Sequence, residues 1–334
     1  MTRAALILLS VGVALFIALL AWQGFGSVAS TLMVAGWGLA LVAAFHLLPL
    51  LLDAGTIFIL SDGQRRRHGL RVAILARWTG ESVNSLLPAG QIGGPVLMVR
   101  HLAHHGMRMR DAAAAITVST TVQAVSQIGF ALFGLAIFAV YATGGESQNV
   151  RKAALIAVVV LALCMAAFYV AQRRGLFGRV LRLASSIFGK RDWSELTAHA
   201  DAIDSAVREL YSERRRIVVS FCLSFTGWLV GTGEVWLALH FLGHQVGWLD
   251  ALLLESIGQA IRGAAFAIPG SLGVQEGGYL LLAPLVGLPS EAALALSLAK
   301  RARELVLGVP GILYVHLSER NWQRRQASRI PVAD

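Results

Sequence analysis

Six apolar stretches, each long enough to cross a bilayer as a helix, constrain the fold of this chain most strongly. They cover residues 4–22, 31–60, 112–141, 153–171, 217–242 and 291–317. Lipid offers the backbone no hydrogen-bond partners, so a stretch of this length satisfies its own peptide groups as a helix. Only 14% of the 334 residues are charged, against about 25% in a soluble domain. The sequence therefore predicts an all-α polytopic membrane protein, with residues 1–334 forming one transmembrane domain.

Arginine and lysine are distributed unevenly among the loops between these stretches. The segments 65–71, 100–110, 173–216 and 320–329 are rich in arginine, whereas 143–149 and 243–245 contain neither arginine nor lysine. The positive-inside rule places the basic loops and both termini in the cytoplasm, as in a protein of the bacterial inner membrane. These loops account for the net charge of +10, so nucleic-acid binding is not predicted. Residues 173–216 also carry apolar residues at helical spacing, which predicts basic amphipathic helices on the inner leaflet.

Proline, glycine and polar residues interrupt two further hydrophobic segments, at 77–95 and 255–278. Irregular polar backbone survives at membrane depth only where protein covers it or water reaches it. Both ends of the first segment are predicted to be cytoplasmic and both ends of the second external, so each segment is predicted to be a re-entrant helical hairpin. The alternative is a polar helix that crosses the membrane fully. The predicted turn residues are Pro88, Gly90, Gly93 and Gly94 in the first hairpin, and Pro269, Gly270 and Gly273 in the second.

The two interrupted segments lie at matching places in two halves of the chain. Pro88 and Pro269 are 181 residues apart, and so are the loop glycines Gly106 and Gly287. Each half, approximately 31–141 and 215–318, reads as span, hairpin and span, with opposite orientation in the membrane. Such an inverted repeat, with a broken segment in each half, is typical of transporters.

Charged and polar residues on the hairpins are candidates for binding a ligand. Arg77, Glu81 and Asn84 share one helix face in the first hairpin, and Glu255, Gln259 and Arg262 repeat that spacing in the second. Glu81 and Arg262 are 181 residues apart, so the hairpins offer opposite charges at equivalent positions. Ionisable residues inside a membrane are usually functional, which favours a polar pocket for a lipid headgroup. The alternative is a fixed ion pair that only holds the hairpins together.

The closing helix of the second half adds Lys300, Arg301, Arg303 and Glu304. Three cations and one anion leave a local positive surplus, which suits a phosphate or another anionic group. Glu276 follows the second turn and is a candidate helix cap or ligand for a cationic group. The matching helix of the first half is uncharged and polar between Thr117 and Gln127, as a hydrogen-bonding wall or as contacts between helices. No metal site is predicted, because the histidines at 101, 104 and 105 lie in a basic patch.

Residues 269–277, Pro-Gly-Ser-Leu-Gly-Val-Gln-Glu-Gly, resemble a motif of the flippase-like membrane family that includes the transmembrane region of lysylphosphatidylglycerol synthases. Glu81-x-x-Asn84-x-x-x-Pro88, followed by Gly93-Gly94, resembles that family's first broken segment. The similarity covers roughly residues 5–320, and among subgroups the chain looks most like the hopanoid-biosynthesis-associated membrane proteins. The resemblance implies lipid translocation. It does not imply lipid aminoacylation, because no soluble aminoacyl-transferase domain is expected after the last span.

We therefore expect a lipid flippase or transporter without enzymatic activity or cofactors, moving a hopanoid or an anionic phospholipid-like lipid between leaflets. If a proton is coupled, Glu81 or Glu304 is the expected carrier. Besides membrane lipids, a lipid-biosynthesis enzyme docked on residues 173–216 is an alternative partner, which would make the protein a scaffold. A membrane-embedded lipid-modifying enzyme is the other alternative, although no nucleophile–base pair supports it. The motif Gly227-x-x-x-Gly231 predicts close helix contact within the chain or a homodimer.

Overall fold

The computed structural model describes residues 30, 33–61, 69–87, 93–141, 146–176, 179, 194–264 and 274–327. These residues form eleven α-helices, one short 3-10 helix at Ala283–Val286 and connecting turns, without a strand. The helices are α1 Gly38–Phe45, α2 Leu47–Leu60, α3 Leu70–Leu86, α4 Gly93–His104, α5 Met109–Tyr141, α6 Glu146–Arg173, α7 Ser194–Ser212, α8 Arg214–Phe241, α9 Trp248–Ala264, α10 Val274–Leu282 and α11 Ser290–Ala327. The predicted all-α class is confirmed.

Three helical stretches in the described part of the chain are long and apolar enough to cross a membrane. They are Gly38–Leu60, formed by α1 and α2, Met109–Ile137 within α5, and Arg214–Phe241, which is α8. They correspond to the predicted spans 31–60, 112–141 and 217–242. Helices α6 and α11 contain the predicted spans 153–171 and 291–317, while the predicted span 4–22 lies outside the described residues. The chain is thus a membrane protein with several apolar helices.

The first apolar stretch is divided at His46, where α1 ends and α2 begins. Pro49 has no backbone N–H and cannot bond the carbonyl of Phe45, four residues earlier, so the helical hydrogen bonding is interrupted there. A proline within an apolar span favours a kink, and the structure shows a one-residue interruption of the helix at His46. His46 lies at this break, within the apolar stretch Gly38–Leu60.

Two clusters of buried apolar side chains form most of the core. One joins α2, α3, α4, α5 and α7, around Ile57, Leu102, Ile116 and Val207. The other joins α1, α8, α9, α10 and α11, around residues that include Leu239, Leu254 and Leu296. Helix α8 also packs closely on α2 and α5, and α11 on α3, so extensive contacts join the two halves of the chain.

Helices α3 and α4 pack against each other, as do α9 and α10. At the start of α4 the backbone N–H of Gly94 donates a hydrogen bond of 2.8 Å to the side-chain oxygen of Asn84 on α3. Of the predicted turn residues, Gly93 and Gly94 begin α4. The others, Pro88, Gly90, Pro269, Gly270 and Gly273, lie outside the described residues.

A glycine lies in the turn that follows each helix pair, α3–α4 and α9–α10. Gly106 precedes α5 with φ 93° and Gly287 precedes α11 with φ 67°. A left-handed conformation suits glycine because it has no Cβ to clash with the following carbonyl. These are the two glycines that the sequence aligned across the halves.

Helix α7 buries part of its apolar side against the first half of α5. Val207 is fully buried in the cluster that includes α5. Tyr211 donates a hydrogen bond of 2.6 Å to Gln172 on α6, whose amide in turn donates to Thr121 on α5 at 2.8 Å. Burial raises the pKa of Tyr211 to about 12, so the phenol remains a neutral donor at physiological pH. Residues 181–193 of the predicted basic linker 173–216 lie outside the described residues.

Candidate functional site

A chain of ion pairs begins where α2 faces α3. Arg77 on α3 contacts Asp53 on α2 at 2.9 Å and Glu81, one turn further along α3, at 3.5 Å. Glu81 also lies 2.7 Å from Nε2 of His46. His46 and Asp53 are seven residues apart and so lie on the same side of this helical stretch. The first half of the chain thus contributes two carboxylates, one guanidinium and one imidazole to a single contact series.

The series continues into the second half through the other ring nitrogen of His46. Nδ1 lies 2.7 Å from Glu234 on α8. Arg303 on α11 lies 3.3 Å from Glu234, an ion-pair distance at which the two groups are not aligned for a hydrogen bond. Glu234 and Arg303 are both buried by protein, with 3% and 6% of their surface exposed. Both charges are therefore stabilised by each other and by His46 and not by water.

The far end of the series lies between α9, α10 and α11. Glu304 contacts Arg303 at 3.6 Å, Arg262 on α9 at 3.0 Å and Arg301 at 3.1 Å. Arg301 also lies 3.4 Å from Glu276 on α10. Glu304 therefore joins the second helix pair to the closing helix, as His46 joins the first helix pair to α8.

A second buried ion pair stands beside this series. Lys300 on α11 contacts Glu255 on α9 at 2.5 Å, and the other oxygen of Glu255 accepts a hydrogen bond of 2.9 Å from Gln259. Lys300 and Glu255 are 2% and 4% exposed, so protein covers both charges. Helix α9 is fixed to α11 by this pair and, through the contact of Arg262 with Glu304, by the series above.

The charges in the ion-pair series nearly cancel. It contains five carboxylates and four guanidiniums: Asp53, Glu81, Glu234, Glu276 and Glu304, with Arg77, Arg262, Arg301 and Arg303. The net charge is therefore −1 with a neutral His46 and zero with a protonated one, while the Lys300–Glu255 pair is neutral by itself. An unpaired charge at membrane depth has a high free energy because it has lost its hydration. Pairing with an opposite charge lowers that free energy.

A small cavity adjoins the series between α2, α3 and α11. Its polar lining comes from Glu81, Ser82, Ser85, Arg303 and Glu304, and the remainder is apolar. Its volume is about 10 Å³, which has room for about one water molecule. A lipid headgroup does not fit, so a headgroup could enter only if α3 and α11 moved apart.

The comparison with protein families adds an identification to this geometry. A model of the lysylphosphatidylglycerol synthase TM region matches residues 7–311. The chain belongs to this family. Comparison with curated proteins and with solved structures gave no significant match. The family resemblance inferred from the motifs is thus confirmed, and the protein is a membrane protein related to lipid handling.

Within this family member, the structure brings most of the predicted ligand residues into contact with other charged groups. Glu81 and Arg262, expected to face each other across the halves, are joined indirectly through His46, Arg303 and Glu304. The positive surplus expected from α11 alone is offset by carboxylates of other helices: Glu234, Glu255 and Glu276. Asn84 contacts the backbone of Gly94, which gives it a structural role in the α3–α4 pair.

The polar residues of α5 mostly satisfy each other and neighbouring helices. Thr120 and Thr121 donate to carbonyls one turn earlier on α5, and Gln127 donates a hydrogen bond of 2.7 Å to the backbone carbonyl of Gln259 on α9. Both glycines of the Gly227-x-x-x-Gly231 motif face other helices of the same chain. Gly227 lies close to α2, and Gly231 lies close to Glu255 on α9. Of the two interpretations of these motifs, contact within the chain is the one observed for the described residues.

Sequence reasoning missed three members of the site, although each carried a visible signal. His46 and Asp53 lie within the predicted span 31–60, and Glu234 lies within the span 217–242. An ionisable residue within an apolar stretch is by default a functional candidate. The interrupted segments and the closing helix supply the predicted candidates, and these do not include the partners on α2 and α8.

Proposed function

We propose that the protein is a lipid flippase of the bacterial inner membrane, with both termini in the cytoplasm, and that it moves a polar-headed lipid between leaflets. The observation that carries the proposal is the ion-pair series from Asp53 to Glu276, which runs through both helix pairs and the closing helix of a lipid-handling membrane protein. A polar headgroup crossing the membrane needs polar partners along its way, while its acyl chains stay in lipid.

The length of α3 supports a re-entrant first hairpin. Helix α3 has 17 residues and is flanked by described residues at both ends. At about 1.5 Å per residue it is roughly 26 Å long, against a hydrocarbon core of about 30 Å. We infer that each helix pair, α3–α4 and α9–α10, enters the membrane and returns to the side it came from.

The helix boundaries support an inverted repeat of the segments 31–141 and 215–318. Leu60 and Phe241 end α2 and α8 and are 181 residues apart. The same offset relates Met109 and Ser290, which begin α5 and α11. It also relates Asp53 to Glu234, and each of these carboxylates pairs with an arginine. Two halves related in this way can give inward-open and outward-open states of similar energy.

The structure has the features expected of a closed state of such a cycle. The cavity at Glu81 holds about one water molecule, and the indole N–H of Trp78 on α3 donates a hydrogen bond of 2.9 Å to the carbonyl of Leu307 on α11. Separation of α3 from α11 would break this bond and expose Glu81, Arg303 and Glu304 to an entering headgroup. No nucleotide-binding motif is present in the sequence, so we expect movement driven by an ion gradient or by the lipid's own gradient.

The proposal is tested by reconstituting the purified protein in liposomes that contain a lipid with a short fluorescent acyl chain. Serum albumin extracts this probe from the outer leaflet only, so slow extraction of the remainder reports leaflet exchange. Two probes are used, an anionic phosphatidylglycerol and a neutral glycosyl diacylglycerol. The protein should accelerate exchange of at least one probe, and Glu81→Gln and Arg262→Ala should reduce the rate about tenfold or more, since each removes a charged group that the entering headgroup is proposed to contact.

Glu319→Gln is the matched control, because it makes the same carboxyl-to-amide change in an exposed pair with Arg100, 2.7 Å long. It should leave the rate unchanged. If the wild-type protein accelerates exchange of neither probe, the flippase proposal is wrong. Chemical modification of a probe without exchange would favour the enzyme, and loss of a cellular lipid product with no exchange in liposomes would favour the scaffold. The same exchange assay in liposomes prepared with hopanoid lipids tests whether the protein belongs to the hopanoid-associated subgroup.

A further inference from the structure

His46 is the only side chain in the described ion-pair series that changes charge readily near neutral pH. Its two ring nitrogens face two carboxylates: Nε2 lies 2.7 Å from Glu81 and Nδ1 lies 2.7 Å from Glu234. A carboxylate only accepts hydrogen bonds, and a neutral imidazole carries a single N–H. Both contacts can be hydrogen bonds at the same time only if His46 carries the second proton.

The charges around His46 come from every helix that packs on it. Glu81 and Arg77 approach on α3, Glu234 on α8, and Asp53 lies on its own helix, α2. From α11, a terminal nitrogen of Arg303 lies 2.8 Å from Nε2 and closer still to Nδ1. Arg303 opposes a proton on the imidazole, whereas the two carboxylates in direct contact favour it.

The position of His46 gives its proton a mechanical consequence. His46 and Glu81 belong to the first half of the chain, while Glu234 and Arg303 belong to the second. The imidazole therefore bridges the two halves beside the cavity at which α3 meets α11. With one proton fewer, one of the two carboxylates loses its hydrogen bond and the series carries a net charge of −1.

We propose that His46 is a proton-binding site that links the two halves: the protonated imidazole holds α3 closed against α8 and α11, and loss of the proton releases α3. As a step in transport this rests on the proposed flippase function; as a property of the fold it does not. The sequence had offered Glu81 or Glu304 as a proton carrier. The geometry instead assigns Glu81 the role of acceptor for the proton on His46.

The transport experiment uses the neutral glycosyl probe, whose own charge does not change with pH. With equal pH on both sides of the liposome, the wild-type rate should rise about tenfold between about pH 5 and pH 8.5, the effect of losing one charge-assisted hydrogen bond in the closed state. His46→Gln cannot take up a proton, so its rate should not vary with pH. His244→Gln, the same change in the turn after α8, should keep the wild-type profile.

A second measurement separates the proton site from transport. Hydrogen–deuterium exchange is followed in peptides of α3, at two pH values and after correction for the intrinsic rates. In the wild type, α3 should exchange faster at the higher pH, and in His46→Gln it should exchange fast at both. Glu234→Gln should also release α3 at the lower pH, because the neutral amide removes the negative charge that favours the second proton on His46 without removing the histidine.

Each outcome decides one of the two proposals. If the wild type shows no lipid exchange but α3 responds to pH through His46, the flippase proposal fails and the proton site stands. If exchange occurs and His46→Gln keeps the wild-type pH profile, the proton site is wrong and the flippase proposal stands. Protection of α3 that is the same at both pH values in the wild type also overturns the proton site.

Discussion

The buried pair Lys300–Glu255 gives the sharpest test of how this fold is held together. Its atoms are 2.5 Å apart, and protein covers nearly all of both side chains. Lys300→Met replaces the cation by an apolar chain of similar length. It leaves Glu255 buried, with one hydrogen bond from Gln259 at 2.9 Å. The change in the free energy of unfolding therefore reports the effect of one unpaired buried charge between α9 and α11.

The structure sets the expected magnitude. Breaking a buried pair from one side costs about 3–5 kcal/mol, and the retained Gln259 bond places Lys300→Met near the lower limit, at about 3 kcal/mol. That is roughly a hundredfold change in the ratio of folded to unfolded protein. The double variant Lys300→Met/Glu255→Leu removes both charges, and similar replacements by apolar residues are neutral or stabilising. It should therefore lie within about 1 kcal/mol of wild type.

The assay is unfolding of the purified protein in detergent micelles by increasing sodium dodecyl sulfate, followed by circular dichroism. Arg100→Met is the matched control, since it breaks an ion pair of 2.7 Å in which the arginine side chain is 49% exposed. It should cost less than about 1 kcal/mol. If the double variant is destabilised by the sum of the two single changes, the pair does not act as a unit and the reasoning is refuted.

Two further changes test the packing of particular helices by the same unfolding assay. Gly94→Ala would place a Cβ against the carbonyl oxygen of Gly80, so α3 and α4 must separate, at an expected cost of about 1–3 kcal/mol. Gly277→Ala, whose Cβ meets nothing within 4 Å, should be neutral or stabilising, and equal losses at both sites would contradict the close packing. Tyr211→Phe removes the donor to the fully buried Gln172 and should cost about 1–3 kcal/mol. An unchanged midpoint would show that the Gln172 oxygen finds another partner.

Much of the fold follows from the sequence because it depends on features local to each segment. Apolar length marks the helices in the membrane, and Pro49 marks the break before α2. The glycines Gly106 and Gly287 mark the turns before α5 and α11, where both are left-handed. Each of these signals acts within a few residues along the chain, so no knowledge of neighbouring helices was needed to read them.

The site was less predictable because its pairs connect residues far apart in the sequence. The spacing of Lys300 and Glu304 suggests a contact one turn apart on α11, yet Lys300 pairs with Glu255 and Glu304 with Arg262. His46 contacts a residue 188 positions away. Helix periodicity shows which residues share a face, but it does not show which helix faces them. That is decided by packing of the apolar stripes.

The charge balance of the ion-pair series bears on which headgroup the protein would accept. The sequence alone suggested an anionic headgroup, because α11 carries three cations and one anion. In the structure these cations already have carboxylate partners, and the series is neutral at most. An entering phosphate would have to compete with carboxylates such as Glu304 for Arg303, and it would add negative charge to a buried series that is already neutral at most. A neutral, hydroxyl-rich headgroup can donate to the carboxylates and accept from the arginines without changing the net charge.

We therefore expect the glycosyl probe to exchange faster than phosphatidylglycerol in the same liposomes. The reverse order would show that the closing helix releases its carboxylates when the site opens.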